Sequence, residues 1–370
     1  MKRILTLDGG GIRGVFSLMV LKEVETLLRA ERRRSDLVLR DEFDFFAGTS
    51  TGAIIAALLA WGRSVDEILS LYRERGAEMF TKAGILGRYW TGLYDPQVIA
   101  RMFKELFFDR ETRDPALLGT SKLWGKKPED QKYLLMVMRN ATTGSAWPIC
   151  NNPDAIYNDR ALPDCNLEIP LWKLLRASTA APVYFPPEEI RLGDRTDLFV
   201  DGGITAYNNP ALIAALMATL PCYRIGWKGG AQEIHVLSVG TGATRARLTK
   251  QAARQVNNKD VAGFIIPAVL DSVAVEQDLL CRVLGDCVFG AQVDGELGDL
   301  HRSGLLPPEE KKFTYVRYNR SFSRDEIAEI ERTTGKKFSL DNTDLIEALA
   351  DLGAAYATAN VKRDHLFPRP

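Results

Sequence analysis

Ser50 lies in the run Gly48-Thr49-Ser50-Thr51-Gly52, which fits Gly-x-Ser-x-Gly. An apolar stretch over residues 43–47 leads into it and another over 53–61 follows it. Strand, tight turn and helix is the setting in which a serine becomes a nucleophile. Small flanking residues let the strand and helix backbones approach each other. The helix start then points N–H groups and a positive dipole end at the reacting oxygen. The chemistry would be acyl transfer through a serine ester. A plain glycine-rich turn has the same residue pattern, so the serine needs partners.

A second glycine turn, Asp8-Gly9-Gly10-Gly11-Ile12-Arg13-Gly14, also falls between an apolar stretch and a helical one. It fits Gly-x-Gly-x-x-Gly, so a dinucleotide could be read onto Gly9–Gly14. Against that, Asp8 would set a carboxylate beside the pyrophosphate. The next strand also runs into the serine turn instead of ending on an acid for the ribose. The other reading is an oxyanion site. Consecutive glycines expose N–H groups, each typically stabilising a tetrahedral oxyanion by about 3 kcal/mol, and Arg13 adds a positive charge.

A serine also needs a base. The chain has three histidines, His235, His301 and His365. His235 sits inside the apolar run 234–239 and reads as a core residue, although a triad in the order Ser50, Asp201, His235 is an alternative. Asp201, in Asp201-Gly202-Gly203, stands where a strand ends. A buried carboxylate there could take the Ser50 proton directly if desolvation raises its pKa. A turn aspartate capping its own glycines is the bland alternative.

These three turns, in this order, resemble the patatin-like phospholipase family. The resemblance runs over about residues 3–220. It includes the connecting runs Arg176-Ala177-Ser178-Thr179-Ala180-Ala181-Pro182-Val183-Tyr184-Phe185-Pro186 and Tyr207-Asn208-Asn209-Pro210. It implies a Ser50–Asp201 dyad instead of a triad, and an oxyanion site at Gly10 and Gly11 with Arg13. It also implies hydrolysis of phospholipid acyl esters, with no metal and no required cofactor. The opening run 1–14 and the helical C-terminal half resemble, more narrowly, the bacterial phospholipase effectors of cyclic-oligonucleotide anti-phage (CBASS) systems. That likeness implies a cyclic dinucleotide activator such as cyclic GMP–AMP. Contact with the inner membrane surface is then expected to be peripheral, and a homo-oligomer is left open beside a monomer.

Positioning these residues requires strands over 4–7, 43–47, 133–139, 198–200, 234–239 and 314–318. Helices are expected over 16–29, 53–61, 65–80, 96–107, 171–180, 209–220, 261–284 and 345–362, and another opens at the Ser323-Arg324-Asp325-Glu326 capping box. Alternating strands and helices predict a three-layer α/β fold with a mainly parallel central sheet flanked by helices. The catalytic part is expected over 1–220, with 221–370 completing the sheet and adding a helical regulatory or packing region. Residues 85–94 hold Ile85, Leu86, Tyr89, Trp90, Leu93 and Tyr94. They read either as a lipid-contacting lid or as core under a loop. Arg317, Tyr318 and Arg320 read as a phosphate clamp or as a solvated strand.

Apolar residues make up 46% of the 370 and charged residues 26%, which is ordinary globular composition. Forty-eight Lys plus Arg balance 48 Asp plus Glu, which argues against a nucleic-acid polymer as partner. Cys150, Cys165, Cys222, Cys281 and Cys287 form no CxxC pair and suggest reduced thiols in a cytoplasmic setting. Four residues separate the basic start from Asp8, which is short for a signal-peptide core, and no apolar run is long enough to span a membrane.

Overall fold

Alternate residues of the first strand face two different layers, and this organises the molecule. Leu5 and Leu7 enter one core together with Phe46, Met136 and Leu237, whereas Ile4 enters a second with Phe45, Ala47, Leu135 and Val236. A sheet apolar on both faces must be covered on both, as the expected three layers require. The computed structural model describes residues 1–81, 93–125, 127, 130–244, 258–302 and 305–367.

The strands that form the sheet are β1 (Lys2–Leu7), β2 (Phe45–Thr49), β3 (Tyr133–Asn140), β4 (Ala146–Cys150), β5 (Glu188–Leu192), β6 (Arg195–Asp201), β7 (Ile234–Val239), β8 (Asp286–Phe289) and β9 (Thr314–Tyr318). Their order is β8-β9-β7-β1-β2-β3-β6-β5, with β4 also on β3. All pairings from β8 to β3 are parallel, and those of β4, β5 and β6 are antiparallel.

Nine helices of eight residues or more are described: α1 (Gly14–Arg32), α2 (Thr51–Ala60), α3 (Val65–Met79), α4 (Pro96–Leu106), α5 (Leu171–Ser178), α6 (Ala211–Thr219), α7 (Asn258–Leu284), α8 (Arg324–Thr334) and α9 (Ile346–Asn360). Among these, α1, α2, α3, α5 and α9 cover the first face, and α6 with Cys281 of α7 covers the second. Every residue of α2 is buried, as expected for a helix apolar all round. The capping boxes at Ser64/Glu67 and Ser323/Glu326 open α3 and α8. No described helix is long and apolar enough to cross a membrane.

The sequence expectations depart from the structure mainly at boundaries and at the antiparallel edge. β2 is shifted two residues beyond 43–47, because β1 and β3 supply pairing partners as far as Gly48 and Thr49. The helix expected to reach 180 ends at Ser178, and the Ala180 carbonyl instead accepts the Asp201 amide at 3.0 Å. Of the hairpin β5–β6 the sequence predicts only 198–200, since charged residues and an exposed Leu198 break its apolar pattern. β7, β8 and β9 lie in the same sheet as β1. The boundary expected at 220 therefore separates two stretches of chain that share one sheet.

Candidate active site

The pairing of β3 explains why Ser50 and Asp201 meet. Residues Leu135–Arg139 pair with β4 on one edge. The other edge is shared, with β2 running up to Thr49 opposite Val137 and β6 running the other way to Asp201 opposite Met138. Two strands thus meet head to head on adjacent residues of one strand, and the next atoms along are the Ser50 side chain and the Asp201 carboxylate. Ser50 Oγ donates to Asp201 Oδ2 at 2.7 Å. Asp201 Oδ1 accepts from the Gly203 amide at 2.7 Å. Burial pushes the Asp201 carboxyl up to about 6, against the pull of those two hydrogen bonds. A carboxylate so placed can accept the serine proton as the oxygen attacks.

Ser50 is held in a strained backbone, φ 54° and ψ −124°, at the mouth of α2. The flanking glycines are required by close approach. A Cβ on Gly48 would lie 2.1 Å from the Gly52 carbonyl oxygen, and one on Gly52 would lie 2.2 Å from that of Leu7. Ser178 completes the elbow. Its hydroxyl donates to the Val137 carbonyl at 2.6 Å and accepts from the Ser50 amide at 3.0 Å. The sequence shows Ser178 only as one letter of a connecting run, because its partners are set by tertiary contact.

Gly10 and Gly11 line the same cavity as Ser50 and Asp201. Neither amide has an acceptor among the described residues, so both N–H groups are free to meet an oxyanion. Gly9 and Gly14 complete the turn. A Cβ on Gly9 would sit 3.2 Å from the Ser50 Cβ, and one on Gly14 2.7 Å from Thr51 Oγ1. On the other side, Gly202 packs against the Val137 carbonyl, where a Cβ would approach to 2.3 Å.

Arg13 is placed differently from its expected role. Its guanidinium is buried, lies 3.5 Å from the Gly10 carbonyl through Nε, and lines a separate small cavity with Asp8, Asp271 and Arg317. It braces the back of the glycine turn instead of facing the reacting atoms. Arg317 is likewise no phosphate clamp. It forms a bidentate, fully buried pair with Asp8, at 2.8 and 2.5 Å, and also donates to Ser238. Burial would lower its pKa, but the Asp8 carboxylate raises it above the ordinary arginine value. Tyr318 meets His365 and Arg320 pairs with Glu326. The strand read as solvated is a buried inner strand because β7 and β8 flank it.

His235 is not a triad member. It faces Arg3 and Thr314 at the opposite end of the strands, its Nε2 is 2.9 Å from the His365 carbonyl, and burial drives its pKa down to about 3. The dinucleotide reading of Gly9–Gly14 fails as well. Asp8 is committed to Arg317, the Ile12 amide to the Leu340 carbonyl at 2.8 Å, and the glycines face Ser50.

Leu340 and Asp341 belong to a strap between α8 and α9 whose position here no sequence motif marks. Asp341 accepts from the Tyr94 and Ser339 hydroxyls and lines the cavity, with Tyr94 stacked on Tyr184. The cavity walls are otherwise mostly apolar, with Ile54, Met79, Phe80, Ile99, Phe185 and Leu270 among them, and its volume is about 80 Å³. That is room for a few waters. Of the segment 85–94, residues 85–92 lie outside the described residues.

Comparison with known proteins agrees with this architecture. The intracellular phospholipase A2 of Caenorhabditis elegans is 33% identical over 247 residues, covering 65% of this chain and 19% of that protein. The cUMP-AMP-activated phospholipase of Escherichia coli is 30% identical over 245 residues, covering 65% and 64%. The cGAMP-activated phospholipase of E. coli (strain TW11681) is 27% identical over 241 residues, covering 65% and 62%. The chain thus spans about a fifth of the nematode protein and under two thirds of each bacterial one. The description "Patatin-like phospholipase" matches residues 5–215, which hold all three turns, and the chain therefore belongs to the patatin-like phospholipase family.

Proposed function

We propose that this protein hydrolyses fatty-acyl esters of membrane phospholipids, as a phospholipase of the A type, through Ser50 and Asp201. The observation that carries the reading is the 2.7 Å hydrogen bond from Ser50 Oγ to a buried Asp201 carboxylate beside an apolar cavity. Asp201 takes the Ser50 proton as Ser50 attacks the ester carbonyl. The Gly10 and Gly11 amides hold the oxyanion, and the protonated Asp201 returns its proton to the leaving alcohol. Water then enters and gives a proton to Asp201 as its oxygen attacks the acyl carbon; the bond from that carbon to Ser50 Oγ breaks, Asp201 returns the proton to Ser50, and the fatty acid leaves. The enzyme meets its substrate from the water side, at the inner membrane surface, as a peripheral protein.

The reading extends to control by a cyclic dinucleotide in anti-phage defence. Two bacterial relatives are named for such activation. The strap at Leu340, which lines the cavity and accepts the Ile12 amide of the glycine turn, is an element through which such a ligand would act on the site. The test is release of fatty acid from a fluorogenic phospholipid against a panel of cyclic dinucleotides, with Ser50→Ala as control. Strong stimulation by one member, absent in Ser50→Ala, is the expected result. High basal release that no nucleotide changes would leave an unregulated lipase.

A further inference from the structure

A groove with a volume of about 1360 Å³ lies away from Ser50. Trp61 and Gly62, just past the end of α2, form part of its wall, so it sits at the far end of the helix that begins beside Ser50. Ten residues of helix separate the two sites by about 15 Å.

Eight basic side chains line this groove against six acidic ones. The acids are partly neutralised already: Asp41 pairs with Arg34, Glu67 with Arg63, and Glu105 with Arg75 outside the wall. Arg101, Arg110, Lys122 and Lys132 have no carboxylate at ion-pairing distance among the described residues. Lys132 is only 9% exposed, and burial lowers its pKa against the attraction of Asp44 and Asp41, so an anion in the groove would stabilise its charge. Lys122 lies 4.4 Å above the Trp61 ring, and Phe108 is 44% exposed in the same wall.

The end of α2 is the negative pole of its dipole and does not itself attract an anion. Arg40 already covers the Ala60 carbonyl there, which leaves Arg101, Arg110, Lys122 and Lys132 to act on a ligand. A single inorganic phosphate would leave most of this volume empty. A ligand that carries both phosphates and an aromatic ring would use the cations and Phe108 together.

We propose that the groove binds a nucleotide, with Arg101, Arg110, Lys122 and Lys132 contacting its phosphates and Phe108 stacking on a base. This rests on the reading that a cyclic dinucleotide controls the enzyme, and it locates that ligand at the end of α2 opposite Ser50.

The test is titration calorimetry on the full chain with cyclic GMP–AMP, cyclic UMP–AMP, inorganic pyrophosphate and phosphatidylglycerol vesicles, beside the hydrolysis assay. Arg101→Glu/Arg110→Glu and Lys122→Glu change exposed side chains, and unchanged melting points verify their folding. Each should weaken nucleotide binding by about tenfold or more, and Phe108→Ala should weaken nucleotide but not pyrophosphate binding. If a nucleotide stimulates hydrolysis and the variants bind it as tightly as wild type, the groove is the wrong site and nucleotide control survives. If neither nucleotide binds nor stimulates, both ideas fall. Groove-dependent binding of the vesicles alone would overturn the nucleotide and make a lipid headgroup the source of the phosphate.

Discussion

The Asp201 carboxylate is divided between two donors, Oδ2 accepting the Ser50 hydroxyl and Oδ1 the Gly203 amide, each at 2.7 Å. The second bond fixes the carboxylate plane and leaves Oδ2 as the atom that would take the proton in the proposed mechanism. On the proposed reading, nucleophile and base work as one unit. Ser50→Ala and Asp201→Asn should each lower fatty-acid release by about 10³-fold, and the double variant should be no slower than the worse single one. Additive losses in that cycle would show two independent roles.

The pH profile follows from the burial that pushes Asp201 up to about 6. The base acts when ionised, so kcat/KM should rise with pH through about 6 and level above it. Stability runs the other way. The folded carboxyl holds its proton more tightly than the unfolded one, whose pKa is about 3.9. The stability this contributes is fully present below about pH 4 and is lost as pH rises through about 6. Asp201→Asn removes a buried charge, so at pH 8 it should be inactive yet more stable than wild type by about 2 kcal/mol. At pH 4 that gain should vanish, which paired melting curves at the two pH values would reveal.

Ser50, Asp201 and the glycine turn were legible because each is a local device, a turn residue of a required type next to an apolar run. The central strands were legible for the same reason, since β1, β2, β3, β7 and β9 are each short, mostly buried runs rich in apolar residues. What stayed hidden depends on distance along the chain. Asp8 finds Arg317 309 residues away, and Arg13 turns toward Asp8 and Asp271 only because that pairing creates a polar space behind the turn. β5 alternates glutamate and arginine with two buried residues, too weak a period to stand out alone. The Leu340 strap acts through a backbone carbonyl, which no side-chain pattern encodes.

His235 gives a direct check on dyad against triad. Its ring is buried beside the His365 carbonyl, with a pKa near 3, so it is neutral at every working pH and distant from Asp201 along the sheet. His235→Gln should cost about 1–2 kcal/mol of stability through the lost hydrogen bond and packing. Its kcat per folded molecule should stay within a few-fold of wild type. A loss as deep as that of Ser50→Ala, with the melting point preserved, would restore a histidine to the mechanism.

The Asp8–Arg317 pair ties the strand before the glycine turn to β9. Arg317→Met leaves a buried carboxylate uncompensated and should cost about 3–5 kcal/mol. Asp8→Asn with Arg317→Met removes both charges and should recover much of that loss. If the double variant is no more stable than Arg317→Met alone, the cost lies in packing and not in the uncompensated charge. Activity should follow stability only in part, because the turn that carries Gly10 and Gly11 begins at Asp8.

Gly11 joins two requirements at one position. Its φ is +58°, in the left-handed region, and a Cβ there would stand 2.2 Å from the Leu340 carbonyl oxygen. Gly11→Ala therefore strains the turn and also pushes away the strap that Leu340 anchors on Ile12. The strain should lower stability by about 1–3 kcal/mol. The displaced turn should misplace the Gly11 amide and cut kcat by about 10²-fold. The displaced strap should, by contrast, widen access to the cavity. KM for a short-chain ester should therefore change little or fall while kcat falls. A rise in KM at constant kcat would mean that Gly11 shapes substrate entry and that its amide takes no part in holding the oxyanion.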